Sequence, residues 1–158
     1  MPLPACYAIR TLGPDDLAPM RAMLAMFGEA FGEPEAYCSR MPGNAWLQRL
    51  LGGEHFVALA AMQGTTVVGG IAAYVLPKFE QERSELYIYD LAVAAAHRRR
   101  GIATALIQAV QRIAADRGAW VVYVQADRED APAIRLYSGL GTREDVLHFD
   151  IPVAPDEA

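Results

Sequence analysis

Between residues 85 and 104 the chain passes from an apolar strand into a basic turn and then into a helix. No other stretch restricts the fold as much. Glu85-Leu86-Tyr87-Ile88-Tyr89-Asp90-Leu91-Ala92-Val93 has the length and the aromatic and β-branched content of a strand. After a short spacer comes Arg98-Arg99-Arg100-Gly101-Ile102-Ala103-Thr104. Ile102, Leu106, Ile107, Val110 and Ile113 then recur at helical spacing and mark one buried stripe of a helix over about 102–117. A helix that starts there leaves its first N–H groups without intrahelical partners and turns the positive end of its dipole toward the preceding turn. Gly101 has no Cβ, so backbone and ligand can approach closely there. With three arginines adjoining it, the pattern predicts a pyrophosphate cradle. No Gly-Lys-Ser/Thr follows, so this is not a Walker loop, and the Gly-x-Gly-x-x-Gly spacing of dinucleotide folds is absent.

The rest of the chain supplies elements around that unit. Residues 7–10 read as a short strand, and residues 12–16 as a turn and helix cap. Leu17, Met20, Met23, Leu24, Met26 and Phe27 form a helical stripe suited to core packing, with Gly28 and Gly32 expected to break it. A loop containing Tyr37 is bracketed by Pro34 and Pro42, and Asn44 is placed to cap a second helix ending near Leu51. Residues 56–61 and 66–76 read as strands of an antiparallel hairpin turning at Gly64. Beyond the 102–117 helix, the pattern predicts a strand over 120–126, a helix over 131–140 and a last strand over 146–151. The expected fold is a mixed α/β layer structure: a mostly antiparallel central sheet, a βαβ crossover and flanking helices. It reads as one domain over 1–151 with a tail over 152–158.

Charge and cysteine content narrow the function. A net charge of −5 disfavours nucleic acid as a partner. Cys6 and Cys38 form no Cys-x-x-Cys pair and have no neighbouring His cluster, so neither a metal site nor a disulfide framework is expected. No apolar run reaches membrane-spanning length and no signal-peptide pattern opens the chain, which leaves a cytoplasmic location as the expectation. Glu80, Glu82, Glu85, Asp90, Asp127, Glu129, Asp130, Asp145 and Asp150 all fall in the second half of the chain. Converging carboxylates would suit a small polycationic substrate through charge-assisted hydrogen bonds. Asp127, which directly follows a strand, and Asp150 are the better candidates, whereas Glu82 and Glu129 read as solvated surface acids.

The arrangement Arg98-x-x-Gly101-x-Ala103 after Leu91-Ala92-Val93 resembles the acetyl-CoA motif of the GNAT superfamily of N-acetyltransferases. Ala133-Ile134-Arg135-Leu136-Tyr137-Ser138-Gly139-Leu140-Gly141 resembles that superfamily's second signature helix. Residues 73–81, 87–93, 124–127 and 148–151 are similar to segments of the type I aminoglycoside 3-N-acetyltransferases, and the likeness runs from about 9 to 151. The resemblance implies an acetyl-CoA-dependent enzyme, a homodimer, that acetylates the 3-amino group of the 2-deoxystreptamine ring in drugs such as gentamicin. It implies that Leu91, Ala92, Val93 and residues Arg98, Arg99, Arg100, Gly101, Ile102, Ala103 and Thr104 hold acetyl-CoA. It makes Tyr137 the proton donor and Asp90 either the base or an anchor for the ammonium, with Glu85 as the alternative. Glu85, Asp90, Asp127 and Asp150 would then bind the substrate. Cys6 and Cys38 lack a Cys-His-Asn/Asp arrangement, so direct transfer in a ternary complex is expected, with the N–H of Leu91 or Val93 polarising the thioester oxygen. Tyr87 and Tyr89 share a face and suit an acceptor cleft or simple strand formation, and His148 reads as a strand residue before a proton carrier. Acetylation of a polyamine or a protein lysine, or a noncatalytic acyl-CoA-binding module, would show the same motifs.

Overall fold

The computed structural model of the chain describes residues 2–154. Its elements are β1 (Ala8–Thr11), α1 (Leu17–Phe31), α2 (Pro34–Cys38), α3 (Asn44–Gly52), β2 (Phe56–Gln63), β3 (Thr66–Pro77), β4 (Ser84–Val93), α4 (Ile102–Asp116), β5 (Ala119–Val124) and α5 (Ala131–Ser138), with a 3₁₀ turn at Ala95–His97. The strands form one mixed sheet in the order β1-β2-β3-β4-β5. Neighbours are antiparallel except β4 and β5, which are parallel. A parallel pair needs a crossover, and α4 supplies it.

The register assigns each side of the sheet its partner. Phe56, Ala58, Ala60 and Met62 of β2 point the same way and pack with Met20, Met23, Met26, Phe27, Leu47 and Leu51 of α1 and α3. The alternate residues Val57, Leu59, Ile71, Ala73, Val75, Leu86 and Ile88 are buried on the other side. That side meets α4, whose buried stripe is Ile102, Leu106, Ile107, Ala109, Val110 and Ala114. Because helices cover both faces, β2 reads as a continuous apolar run instead of alternating. Gly70 lets α1 come close to the sheet: a Cβ there would collide with the Met23 side chain.

Several expectations need correction. Helix α1 passes through Gly28 and stops at Gly32, whose φ of 66° is left-handed. Gly28 stays in the helix because α2 lies against it, so the missing side chain serves packing. The expected loop after Pro34 is helix α2, with the proline in its first turn. Asn44 is the first residue of α3, not its cap, and its Oδ1 accepts from Arg21 at 2.7 Å.

Residues Met1–Gln125 make one compact unit and Ala126–Ala158 a second. The second contains α5, whose N-cap Asp130 accepts the Ala133 N–H through Oδ1 at 3.1 Å. The strand expected over 146–151 is not formed; the segment is irregular, with Phe149 76% and Ile151 86% exposed. Alternation marks what a segment can bury, but a strand also needs an edge to pair with. Of the expected tail, residues 152–154 are irregular and exposed, and 155–158 lie outside the described residues. Among the described residues no helix is long and apolar enough to cross a membrane. None of their His, Cys, Asp and Glu side chains gather into a group able to hold a metal ion.

Candidate active site

The site begins with an irregularity between β3 and β4. Ala73 pairs with Ile88, yet Ala72 pairs with Asp90, so Tyr89 is an extra residue on β4. Strand side chains alternate, so in a regular ladder Asp90 would follow Leu86 and Ile88 onto the α4 face. The bulge reverses that phase. It places Asp90 with Ala72 on the α1 face.

There Asp90 borders a cavity of about 160 Å³ between the sheet and α1 and α3. Met20, Phe27, Trp46, Tyr74 and Tyr89 are among its walls, and among the described residues Asp90 is the only acidic or basic side chain lining it. Tyr89 sets its ring edge-on to Tyr74 and Tyr87, each at 5.8 Å. Among the described residues the carboxylate accepts one hydrogen bond, from Tyr37 Oη to Oδ2 at 2.9 Å. Burial raises the Asp90 pKa above the ordinary carboxylate value, the Tyr37 bond pulls it back, and the charge of Glu33 adds to the rise. The Tyr37 phenol is raised well above its usual value by burial and by the bond to Asp90.

A second feature lies farther along β4. The parallel ladder with β5 reaches Ile88 opposite Val124, where β5 ends. Beyond it, β4 runs on from Tyr89 to Val93 with no strand on that side among the described residues, so Leu91, Ala92 and Val93 offer an unpaired edge. The chain then turns through Ala95–His97 and reaches α4 with Arg99 at φ 61° and Gly101 at φ 80°, both left-handed. The first α4 hydrogen bond is that of the Ala105 N–H to Gly101 O at 3.0 Å. The N–H groups of Ile102, Ala103 and Thr104 therefore stay free for a ligand. Arg98 Nε donates to Val93 O at 3.0 Å, and Arg100 donates to Tyr7 Oη at 2.9 Å, while Tyr7 Oη also meets His97 Nδ1 at 2.9 Å. Among the described residues Arg99 makes no hydrogen bond. Free N–H groups at a helix start and an unpaired strand edge suit a ligand that joins a pyrophosphate to an extended amide chain.

The other candidates are placed differently. Glu85 is engaged: its Oε1 accepts from Trp120 Nε1 at 3.3 Å and lies 3.6 Å from Lys78 Nζ. Tyr87 shares Asp90's face, stacks on Tyr123 at 4.7 Å and donates to Gln125. In the second unit, Tyr137 lies on α5, partly buried, with its pKa pushed up to about 12 by burial and by Asp130. Asp127 is exposed, and its carbonyl accepts the Asp130 N–H. Asp150 is exposed beside His148, Nε2 to Oδ1 at 2.9 Å. Sequence reasoning gave Tyr37 and Tyr74 no part in the site, since neither belongs to a local motif. One signal for the bulge was present: at period two, Asp90 falls in phase with apolar Leu86 and Ile88, where a carboxylate does not belong.

Residues 20–142 match the sequence profile described as the acetyltransferase (GNAT) family. An aminoglycoside acetyltransferase, HMB0005, from an uncultured soil metagenomic sample is 58% identical, with a TM-score of 0.92 over 94% of this chain and 99% of that one. Another, meta-AAC0020 from an uncultured soil metagenomic sample in complex with sisomicin, is 31% identical, with a TM-score of 0.85 over 94% of this chain and 97% of that one. N-acetyltransferase 8B of Rattus norvegicus is 33% identical over 89 residues, 56% of this chain and 40% of that protein. The matched segment thus spans less than half the length of that relative.

Proposed function

Starting from the fact that the chain belongs to the acetyltransferase (GNAT) family, we propose that it acetylates an aminoglycoside with acetyl-CoA, at the 3-amino group of the 2-deoxystreptamine ring. The 58% identity to an aminoglycoside acetyltransferase over nearly the whole chain supports the substrate class. The regiochemistry rests on the likeness of residues 73–81, 87–93, 124–127 and 148–151 to the 3-N enzymes, gentamicin being a typical acceptor. One domain over 1–151 is part of the proposal, supported by a profile match that spans both compact units, as are homodimeric assembly and a cytoplasmic location.

The observation that carries the proposal is the Tyr89 bulge, which turns Asp90 into an aromatic cavity beside the unpaired edge of β4. Acetyl-CoA, when bound, supplies a thioester whose acetyl group passes to nitrogen. The free N–H groups of Ile102, Ala103 and Thr104 and the Arg99 side chain would hold its phosphates. Arg98 and Arg100 are tied to Val93 and Tyr7 and shape the turn. Leu91, Ala92 and Val93 would hold its amide chain, and an N–H of Leu91 or Val93 would face the carbonyl oxygen. The acceptor arrives as an ammonium, which Asp90 attracts and deprotonates so that nitrogen carries a lone pair. A carboxylate raised by burial is a better base than an exposed one. Tyr137 stays protonated at neutral pH and serves as the proton donor to the departing sulfur. Asp127 and Asp150 are proposed contacts for the other ammonium groups of the substrate, whereas Glu85 is held by Trp120 and Lys78.

Incubation with acetyl-CoA and gentamicin tests the proposal, with CoA release followed and the new acetyl group located by NMR. The expected result is turnover with the label on the 3-amino nitrogen. Turnover with the label on another nitrogen removes the regiochemistry, and no turnover of any aminoglycoside removes the substrate class.

A further inference from the structure

We infer that Tyr37 is a positioning residue for the acceptor amine: its hydroxyl occupies Asp90 Oδ2 and leaves Oδ1 as the oxygen open to the ammonium. The inference rests on the reading of Asp90 as the group that receives the ammonium. A carboxylate rotates easily about its last torsion, because that torsion is broad and its two oxygens are equivalent. One directed donor removes the freedom. Among the described residues Tyr37 is the only hydrogen-bond donor to this carboxylate, at 2.9 Å.

Packing aims that hydroxyl. The five residues of α2 begin two positions after the left-handed turn at Gly32 and lie against α1 at Gly28. A Cβ on Gly28 would stand 3.2 Å from Tyr37 Cβ and 3.1 Å from Pro34 Cα. The Glu33 N–H donates to Gly28 O at 2.8 Å and secures the junction. The Tyr37 ring packs against both members of the stacked Phe27–Phe31 pair, 6.1 Å from Phe27 and 5.7 Å from Phe31. A glycine on α1 thus lets α2 sit close enough to reach β4.

The same bond acts on protonation. Burial and Glu33 push the Asp90 carboxyl upward, and the Tyr37 donor opposes them. The other titratable groups around the carboxylate are Tyr74 on β3 and Tyr87 and Tyr89 on β4. Among the described residues no cation and no second hydrogen-bond donor meets the carboxylate, so Tyr37 alone among them opposes the upward push.

The test uses Tyr37→Phe, which removes the hydroxyl and keeps the ring against Phe27 and Phe31. The Asp90 carboxyl is titrated by ¹³C NMR, with its signal assigned through Asp90→Asn, and kcat/KM for gentamicin is measured against pH. The expected result is a carboxyl titration about one pH unit higher, an acidic limb of kcat/KM displaced upward with it, and kcat about tenfold lower. Gly28→Ala, which keeps both polar groups but displaces α2, is expected to shift both readings the same way and serves should Tyr37→Phe fold poorly. A carboxyl titration that does not move overturns the inference. A titration that moves while the limb and kcat stay fixed also overturns it, because the bond then does nothing for the acceptor. Failure of the underlying reading is seen separately, as full activity in Asp90→Asn.

Discussion

Asp90 combines two properties that oppose each other: ionised it can take a proton from an ammonium, yet its surroundings favour the neutral form. Its pKa is higher in the folded chain than in the unfolded one. The stability it contributes is therefore complete below the ordinary carboxylate value of about 3.9 and is lost as pH rises through the raised folded value. At neutral pH the ionised group works against the fold. Asp90→Asn should accordingly lower kcat/KM by about 10²–10⁴-fold while raising the melting temperature at pH 7, a gain that shrinks in acid. Calorimetry at pH 7 and pH 4 beside the kinetic assay checks both halves. A variant that lost stability along with activity would mean that Asp90 holds the fold together. Arg99 is simpler. It holds a left-handed φ and makes no hydrogen bond among the described residues, which in the proposed function leaves its charge for the cosubstrate. Arg99→Ala is expected to raise KM for acetyl-CoA about five- to tenfold with kcat unchanged, by the loss of one charge-assisted contact. An unchanged KM would assign the phosphates to the backbone alone.

Among the elements, β4 carries most of the site. Deleting Tyr89 would restore a regular ladder in which Asp90 still pairs with Ala72, so the register from Asp90 to Val93 survives. What would go is the local kink and the ring that meets Tyr74 and Tyr87. The expected outcome is a folded protein whose kcat/KM for gentamicin is at least about 100-fold lower. Full activity would show that the direction of Asp90 suffices without the bulge. This element also shows what was legible in the sequence. The passage from β4 through the arginine turn into α4 is local: each residue's neighbours in the chain are its neighbours in space, and the pattern located it to within a residue or two. The bulge depends on β3 and β4 together, and a single strand records it only as a carboxylate out of phase. Tyr37 was missed for the same reason. Its segment holds prolines and no long periodic stripe, and it becomes a helix by resting on Gly28 of another element. The expected strand over 146–151 erred the opposite way, since its alternation is local and the partner it requires is not.

Across the whole molecule, the tyrosines give the clearest collective signature. Tyr37, Tyr74, Tyr87, Tyr123 and Tyr137 are all raised above the ordinary value, with burial the leading cause in each. A raised acid contributes stability that is present below its unfolded pKa of about 10 and is lost as pH rises through the folded values. The melting temperature should therefore stay level to about pH 10 and fall steeply above it, and a thermal scan from pH 8 to 11.5 shows whether it does. The fold class was legible from element order, because a hairpin sheet followed by one βαβ crossover leaves few arrangements. The acceptor was not legible in the same physical way, since a motif suited to acetyl-CoA does not distinguish one amine from another. The most direct test is therefore a comparison of kcat/KM for gentamicin, spermidine and a lysine-containing peptide at one pH with saturating acetyl-CoA. Gentamicin is expected to lead by about 100-fold or more, as befits a site with directed polar contacts to its substrate. Equal or faster acetylation of spermidine or the peptide would contradict the assignment of an aminoglycoside as the substrate.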